Sequence, residues 1–305
     1  MSVLALIFIV VITLLPLAIA VLCVLNNRKK EKERLHPLSK SIYRPPGYQL
    51  FKAIEAEREK FNEAFLLMIV AGPFVFSVLA AQWLFSNSGI NVVSSAAFII
   101  FLLVVTVWGS KKLLGHAKRL QLLKLGYECE LATGQELDQL MRFGFHVFHD
   151  VPADGFNIDH LVVGPTGVFA VETKGRSKPK AENEGDKASY KVVYQDGVLH
   201  FPSWQETEPL EQAKRQAVWV SKWLSDSCGF NVNSSPVVIF PGWYIERKTR
   251  PEVPILALGA MSNFFTKYRV QSLQESHIKQ VVYQIEQKVK QLEVQQVMSL
   301  EEAQS

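Results

Sequence analysis

The sequence predicts an α/β domain that is preceded by three transmembrane α-helices. Three apolar runs, at about 3–25, 64–85 and 90–109, are each long enough to cross a bilayer. The mean hydropathy of the 305-residue chain is +0.09, and soluble proteins rarely average above zero. From about Tyr127 the pattern changes to alternating strands and helices, which is typical of an α/β domain.

The first apolar run is predicted to be a retained anchor that covers residues 1–26. No basic residue precedes this run, whereas Asn26-Asn27-Arg28-Lys29-Lys30 follows it. A cleaved signal peptide has the opposite arrangement, with positive charge before the apolar run and small residues after it. The positive-inside rule therefore predicts an outside N-terminus and a cytoplasmic chain from Arg28 onward.

Residues 27–62 are predicted to be a basic cytoplasmic linker that ends in a charged helix at 48–62. The next two apolar runs are joined by Ser86-Asn87-Ser88-Gly89, which is too short to hold a domain. They are therefore predicted to form a transmembrane helical hairpin within 63–110. Lys111 and Lys112 follow the hairpin, so the C-terminal part is also predicted to lie in the cytoplasm.

The C-terminal part is predicted to be a domain at 111–260, followed by a helix and tail at 261–305. Gly164-Pro165-Thr166-Gly167 predicts a tight turn between two strands, and Asp196-Gly197 predicts a second hairpin. The other predicted elements are helices at 127–142, 208–227 and 272–297, and strands at 145–150, 157–164, 167–174, Pro236–Phe240 and Ile255–Leu258.

Charge and cysteine content restrict the function only weakly. The net charge of +4 and the pI of about 8.8 permit nucleic acid or anionic lipid as a partner without requiring either. The chain has three cysteines, Cys23, Cys129 and Cys228, far apart along the sequence. They predict neither a disulfide framework nor a zinc site, and they fit a reducing compartment.

The predicted hairpin carries the residues best suited to catalysis. Asp159 lies in its first strand, and Glu172 and Lys174 lie at the end of its second strand, on the same face because side chains alternate along a strand. Two carboxylates at one edge can hold Mg²⁺ together with water, a backbone carbonyl group and a substrate phosphate. Lys174 could then orient the attacking water or stabilise developing charge, and Glu130 in the preceding helix could reach the same edge.

This combination of an acid, a short apolar strand and turn, and Glu-x-Lys resembles the PD-(D/E)XK nuclease superfamily. Within it, the chain resembles the NERD family, the nuclease-related domain, over roughly 122–240. The resemblance rests on four segments: Gly126-Tyr127-Glu128-Cys129-Glu130, Ile158 to Val163, Gly167 to Gly175, and Pro209-Leu210-Glu211-Gln212. It implies a restriction-endonuclease-like mixed sheet flanked by helices, and a bacterial origin.

The resemblance also implies roles for five residues. Asp159 and Glu172 would bind Mg²⁺ or Mn²⁺, Lys174 would be the catalytic lysine, Glu130 the early helix acid, and Gln212 a polar residue near the site. Cys129 departs from the pattern, because glycine is expected before the acid. A cysteine there could change how closely this helix approaches the sheet.

The expected function is that of a Mg²⁺-dependent nuclease that acts on DNA, or alternatively RNA, from the cytoplasmic side of a bacterial inner membrane. The alternative is an inactive nuclease-fold module that binds nucleic acid or a protein partner at the membrane. A transporter is disfavoured because the apolar runs contain no ionisable residue. Self-association through an apolar stripe that includes Val281, Ile285 and Val289 is a further alternative to packing of this stripe on its own domain.

Overall fold

The computed structural model describes residues 44–85, 92–179 and 190–302, together with scattered positions between 11 and 26. Side chains are described throughout these ranges except those of Phe85 and of residues 291–302. The described residues fall into two compact units. One lies within Met1–Lys40 and Ile54–Gln121, and the other comprises Ser41–Ala53 and Leu122–Ser305.

The first unit contains most of two long helices, α1 (Tyr48–Phe85) and α2 (Val92–Asp138). Within this unit the helices approach closely at Gly109, where a Cβ atom would lie 2.7 Å from Met68 Cγ. The Gln82 side chain accepts hydrogen bonds from Ser94 and Ser95, at 3.3 and 3.2 Å. Both helices are long and apolar enough to span a membrane.

Only two such helices are found among the described residues, so the prediction of three is not confirmed. The predicted first span, 3–25, lies largely outside the described residues. The helix boundaries also differ from the prediction. The charged segment 48–62 and the second apolar run form one helix that continues through Pro73, and α2 includes most of the segment predicted as a separate helix at 127–142. Isolated glycines such as Gly115 and Gly126 weaken a helix by only about 1 kcal/mol each and do not interrupt this one.

The second unit contains a mixed five-stranded sheet. Its strands are β1 (His146–Pro152), β2 (Asn157–Gly164), β3 (Gly167–Thr173), β7 (Ser234–Ile239) and β9 (Ile255–Leu256), adjacent in that order. The first three strands are antiparallel, whereas β7 is parallel to β3 and β9 is parallel to β7. Every residue of β3 is buried, which fits the central position of this strand.

A second mixed sheet contains four strands in the described part of the chain. They are β4 (Lys191–Gln195), β5 (Val198–His200), β6 (Gln205–Glu206) and β8 (Tyr244–Arg247), in the order β6-β5-β4-β8. The predicted turn at Asp196-Gly197 joins β4 to β5, and both residues have positive φ, of 49° and 84°. Such a pair matches the right-handed twist of a hairpin. Strand β8 was not predicted.

Three helices complete the unit, α3 (Glu208–Cys228), α4 (Met261–Lys267) and α5 (Glu275–Glu302). Helix α3 buries Leu210, Ala213, Ala217, Val220 and Leu224, at the spacing of one helical face. It begins with a proline in its first turn and ends at Gly229 in the left-handed conformation, which is why the sequence defines its bounds well.

Hydrophobic cores cover both faces of the five-stranded sheet. One face packs against α3 and α5, and the other packs against α4 and a 3₁₀ helix at Gln139–Phe143. The α5 stripe of Val281, Ile285 and Val289 is buried, with Val281 and Ile285 in the first of these cores. This part of the stripe therefore packs on its own domain, in agreement with the simpler of the two interpretations.

Candidate active site

The candidate site lies where β2 begins and β3 ends, on the face of the sheet that α3 covers. Gly164 and Gly167 close the predicted hairpin, and the strand pair farthest from the turn is His160 with Val171. Asp159 and Glu172 are the next residues along the two strands. The backbone N–H of Thr173 donates a hydrogen bond to Asp159 Oδ2 at 2.7 Å. The local fold therefore brings both predicted carboxylates to the same end of the hairpin.

Lys174 binds both Glu172 and Gln212. Its Nζ lies 2.7 Å from Glu172 Oε1 and donates a hydrogen bond to Gln212 Oε1 at 2.8 Å. Its backbone N–H donates to the Ile239 carbonyl at 2.9 Å, which continues the pairing of β3 with β7. The lysine side chain is 18% exposed, while that of Glu172 is 2% exposed. The Lys174 side chain therefore lies between the buried Glu172 carboxylate and the solvent.

Glu130 belongs to the same group of charges. Its half-buried carboxylate has neither a hydrogen bond nor an ion pair within the described part of the chain. Burial, together with the charges of Asp150 and Glu172, raises the pKa of Glu130 to about 8. The structure therefore brings together all five residues singled out from the sequence, Glu130, Asp159, Glu172, Lys174 and Gln212.

Burial, and for Asp159 and Glu130 also neighbouring negative charge, opposes ionisation of the site carboxylates. Burial, followed by the charges of Glu172 and Glu130, raises the pKa of Asp159 well above its usual range. Burial also raises the pKa of Glu172, although Lys174 and Gln216 oppose this change. Three carboxylates share one lysine, so full ionisation would leave an excess of two negative charges, which is the charge that one divalent cation neutralises.

These oxygen donors fit a hard divalent cation. Asp159 Oδ1 accepts no hydrogen bond from the described residues, and the Glu130 carboxylate is also unpaired. Mg²⁺ takes few protein carboxylates and retains several waters. Within the described residues, no group of three or more His, Cys, Asp or Glu side chains is arranged to hold a metal ion. A cation at Asp159 and Glu172 would therefore need water, backbone or substrate oxygens as additional ligands.

Gln216 is a site residue that the sequence reasoning missed. Its Nε2 donates to Glu172 Oε2 at 2.6 Å, so both oxygens of Glu172 are bound by protein groups. The signal was present in the sequence, because Gln216 lies four residues after Gln212 and therefore on the same helix face.

Asp150 and Arg44 form a second missed feature, a buried ion pair beside Glu130. Arg44 Nη1 lies 3.7 Å from Asp150 Oδ2, and their side chains are 2% and 5% exposed. Asn157 also donates to Asp150 Oδ1 at 3.0 Å. Since Asp150 helps to raise the pKa of Glu130, this pair contributes to the electrostatics of the site.

Cys129 lies where α2 packs closely against Gly175, just beyond the end of β3. A Cβ atom on Gly175 would lie 3.1 Å from Cys129 Sγ and 3.1 Å from the Leu125 carbonyl oxygen. Helix and strand therefore approach closely with cysteine in place of the expected glycine, because residue 175 has no side chain. Gly126 lies at the same contact, with its Cα 3.3 Å from this Cβ position.

Two histidines, His149 of β1 and His160 of β2, are held by protein partners. His149 and His160 contact each other through their Nδ1 atoms at 2.8 Å, and His149 Nε2 contacts Asp138 Oδ1 at 3.0 Å. His160 is fully buried, and burial lowers its pKa well below its usual value. The tryptophans also pack against cores, with Trp243 buried and Trp204, Trp219 and Trp223 partly buried.

The described basic residues of the insert 175–205 already have partners. Arg176 makes two hydrogen bonds to Glu206, and Lys191 Nζ lies 2.6 Å from Glu246 Oε2. Lys178 lies over the Tyr190 ring. Lys180 and Lys187 lie outside the described residues.

The raised pKa of Glu130 predicts that the stability of the folded protein depends on pH. Glu130 has an ordinary pKa of 4.5 and a pKa of about 8 in the folded protein. Between these values the folded state binds more protons than the unfolded state, so stability falls as the pH rises. This contribution of Glu130 should lower the thermal midpoint of the protein in EDTA between about pH 5 and about pH 8. Glu130→Gln should reduce this slope, and an equal slope in the variant would contradict the assignment.

Comparison with known proteins agrees with the resemblance seen in the sequence. Residues 125–241 match the model of a protein family, NERD, described as the nuclease-related domain. No curated protein and no solved structure matches the chain. The matched residues include Glu130, the whole β2–β3 hairpin and the whole of α3 with both glutamines.

Proposed function

We propose that this protein, whose residues 125–241 match the nuclease-related domain family, is a membrane-anchored nuclease that hydrolyses phosphodiester bonds of DNA with the help of Mg²⁺ or Mn²⁺. In this proposal the five-stranded mixed sheet and its helices form a restriction-endonuclease-like core. The chain crosses the bacterial inner membrane three times, with its N-terminus outside, and the domain faces the cytoplasm. The two apolar helices and the basic residues Lys111 and Lys112 support this topology.

The observation that carries the proposal is the convergence of Asp159, Glu172 and Lys174. An unpaired carboxylate oxygen, a buried carboxylate and a partly exposed ammonium group meet at the end of one hairpin. A bound divalent cation would polarise the phosphoryl group and lower the pKa of a bound water. Asp159 and Glu172 would hold that cation, and Glu130 would add negative charge nearby.

Side chains of the protein would orient the lysine and stabilise the negative charge that develops during the reaction. Gln212 holds the Lys174 ammonium group through its Oε1 atom, and Glu172 holds it from the other side. Lys174 would bring its charge to the phosphate as negative charge develops on the phosphoryl oxygens. In the reaction the oxygen of water forms a bond to phosphorus, one ester P–O bond breaks, and the leaving oxygen receives a proton.

The test is cleavage of plasmid and linear DNA by the detergent-solubilised full-length protein. We expect cleavage with Mg²⁺ or Mn²⁺, none with EDTA, and strongly slowed cleavage by Asp159→Ala and by Lys174→Ala. Parallel reactions with single-stranded RNA identify the preferred substrate. Absence of cleavage by the wild-type protein on every substrate, or equal cleavage by the wild type and the variants, would contradict the proposal.

One observation favours the alternative, an inactive module that binds nucleic acid or a protein partner. Both oxygens of Glu172 are already bound, by Lys174 and by Gln216, as in an ion network that is kept for structure. Under this alternative, DNA binding would be independent of Mg²⁺ and would survive Glu172→Gln. Measuring the affinity for DNA in EDTA therefore separates the two functions.

A further inference from the structure

Gln216 is held at the centre of the site by two acceptors. Its Nε2 donates to Glu172 Oε2 at 2.6 Å and to the Asn157 carbonyl oxygen at 3.4 Å. Because both neighbours are acceptors, the nitrogen of the amide must face them. The orientation of this amide is therefore fixed, with its nitrogen and not its oxygen directed at these two acceptors.

The amide oxygen has no partner in this position. Gln216 is 1% exposed, and its Oε1 atom is buried without a hydrogen bond from the described residues. A buried acceptor without a donor costs about 1–3 kcal/mol, and such atoms are rare in folded proteins. The same side chain thus fixes a carboxylate of the site and presents an unused acceptor beside it.

Packing alone does not explain this arrangement. Gln271 uses both ends of its amide for structure, since its oxygen accepts from the Asn233 N–H and its nitrogen donates to the Asn231 carbonyl, each at 2.9 Å. Gln216 differs because only its amide nitrogen makes hydrogen bonds, whereas its amide oxygen makes none with the described residues. A buried apolar side chain would fill the same space without leaving an acceptor unpaired.

We propose that Gln216 is a positioning residue for a cation held by Asp159 and Glu172. Its N–H groups fix the Glu172 carboxylate, and its free oxygen accepts a hydrogen bond from a water ligand of the cation. This inference rests on the proposed function. Partners of this kind orient metal ligands, and their loss typically weakens metal binding 10- to 100-fold.

The test measures Mn²⁺ binding to the full-length protein without nucleic acid, by electron paramagnetic resonance of the free ion. The variants are Gln216→Met, which keeps the length of the side chain but removes both hydrogen-bonding ends, and Glu172→Gln. Gln271→Met is the matched control, because it removes two structural amide hydrogen bonds away from the site. Circular dichroism compares the fold of each variant with that of the wild type.

We expect Gln216→Met to raise the Kd for Mn²⁺ by about 10- to 100-fold, and Gln271→Met to leave it unchanged. Wild-type affinity in folded Gln216→Met, alongside weak binding in Glu172→Gln, would overturn the role of Gln216 and leave the proposed function standing. Equal weakening in both methionine variants would also overturn it, because the effect would then be general. Failure of the wild type to bind Mn²⁺ would overturn the metal-dependent function itself.

Discussion

Replacing Lys174 by methionine is expected to slow phosphodiester cleavage by about 10²- to 10³-fold, which is the typical effect of removing one group that stabilises transition-state charge. Lys174 is the one cation that contacts Glu172 among the described residues, and it is partly open to solvent. Methionine keeps most of the length of the side chain and removes only the charge. The measurement is the initial rate of DNA cleavage at saturating Mg²⁺.

Two comparisons make this prediction specific. Lys214→Met removes a lysine of α3 that pairs with Glu211 and Glu252 near the surface, and its rate should stay at the wild-type value. Binding of Mn²⁺ to Lys174→Met should be at least as tight as in the wild type, because the carboxylates lose a competing positive charge. A wild-type cleavage rate in Lys174→Met would show that the lysine only neutralises Glu172.

The hairpin of the site could be predicted because its determinants are local. Gly164 to Gly167 specify the turn, and alternation along the second strand puts Glu172 and Lys174 on one face. Thr166 also anchors the turn to α4 through a hydrogen bond from its Oγ1 to the Phe265 carbonyl at 2.8 Å. That contact joins residues 99 positions apart and has no signal in the sequence, but the turn can be predicted without it.

The partners of the site acids could not be predicted because they come from distant segments. Arg44 contacts Asp150 across 106 residues, and Gln216 contacts Glu172 across 44. Arg44 precedes an apolar helix, so charge patterning attributed it to a basic linker. Gln216 follows the residue that the family resemblance suggested, and attention to helix periodicity would have found it. The extra strand β8 is short and has two partly buried and two exposed residues, which leaves little periodicity to read.

The segment Ser41–Ala53 belongs to the same compact unit as the candidate site residues, although it lies outside the family match. Pro46 packs on Gly134, where a Cβ atom would lie 2.3 Å from its Cγ, and Gly47 packs on Tyr127 in the same way at 2.7 Å. Gly47 has a φ of 72°, which favours glycine. These contacts hold Arg44 in place against β1, so the stability of the domain should depend on this segment.

The ion pair of Arg44 with Asp150 is expected to have the largest effect on stability. Asp150→Asn should lower the free energy of unfolding by about 3–5 kcal/mol, because it leaves the charge of Arg44 buried and unpaired. Reduced repulsion of Glu130 offsets part of this loss, since Asp150 raises the pKa of that residue. The measurement is the urea midpoint of the detergent-solubilised protein, followed by tryptophan fluorescence.

A double variant separates the buried charge from the loss of a hydrogen bond. Arg44→Met with Asp150→Asn leaves neither charge unpaired, and replacing both partners of a buried pair is often close to neutral. The double variant should therefore be more stable than Asp150→Asn alone. Glu246→Gln, which breaks the surface pair with Lys191, is the control and should leave the urea midpoint close to that of the wild type. Additive losses in the double variant would mean that the two side chains stabilise the domain independently, and the pair would then have no part in holding the linker segment on the domain.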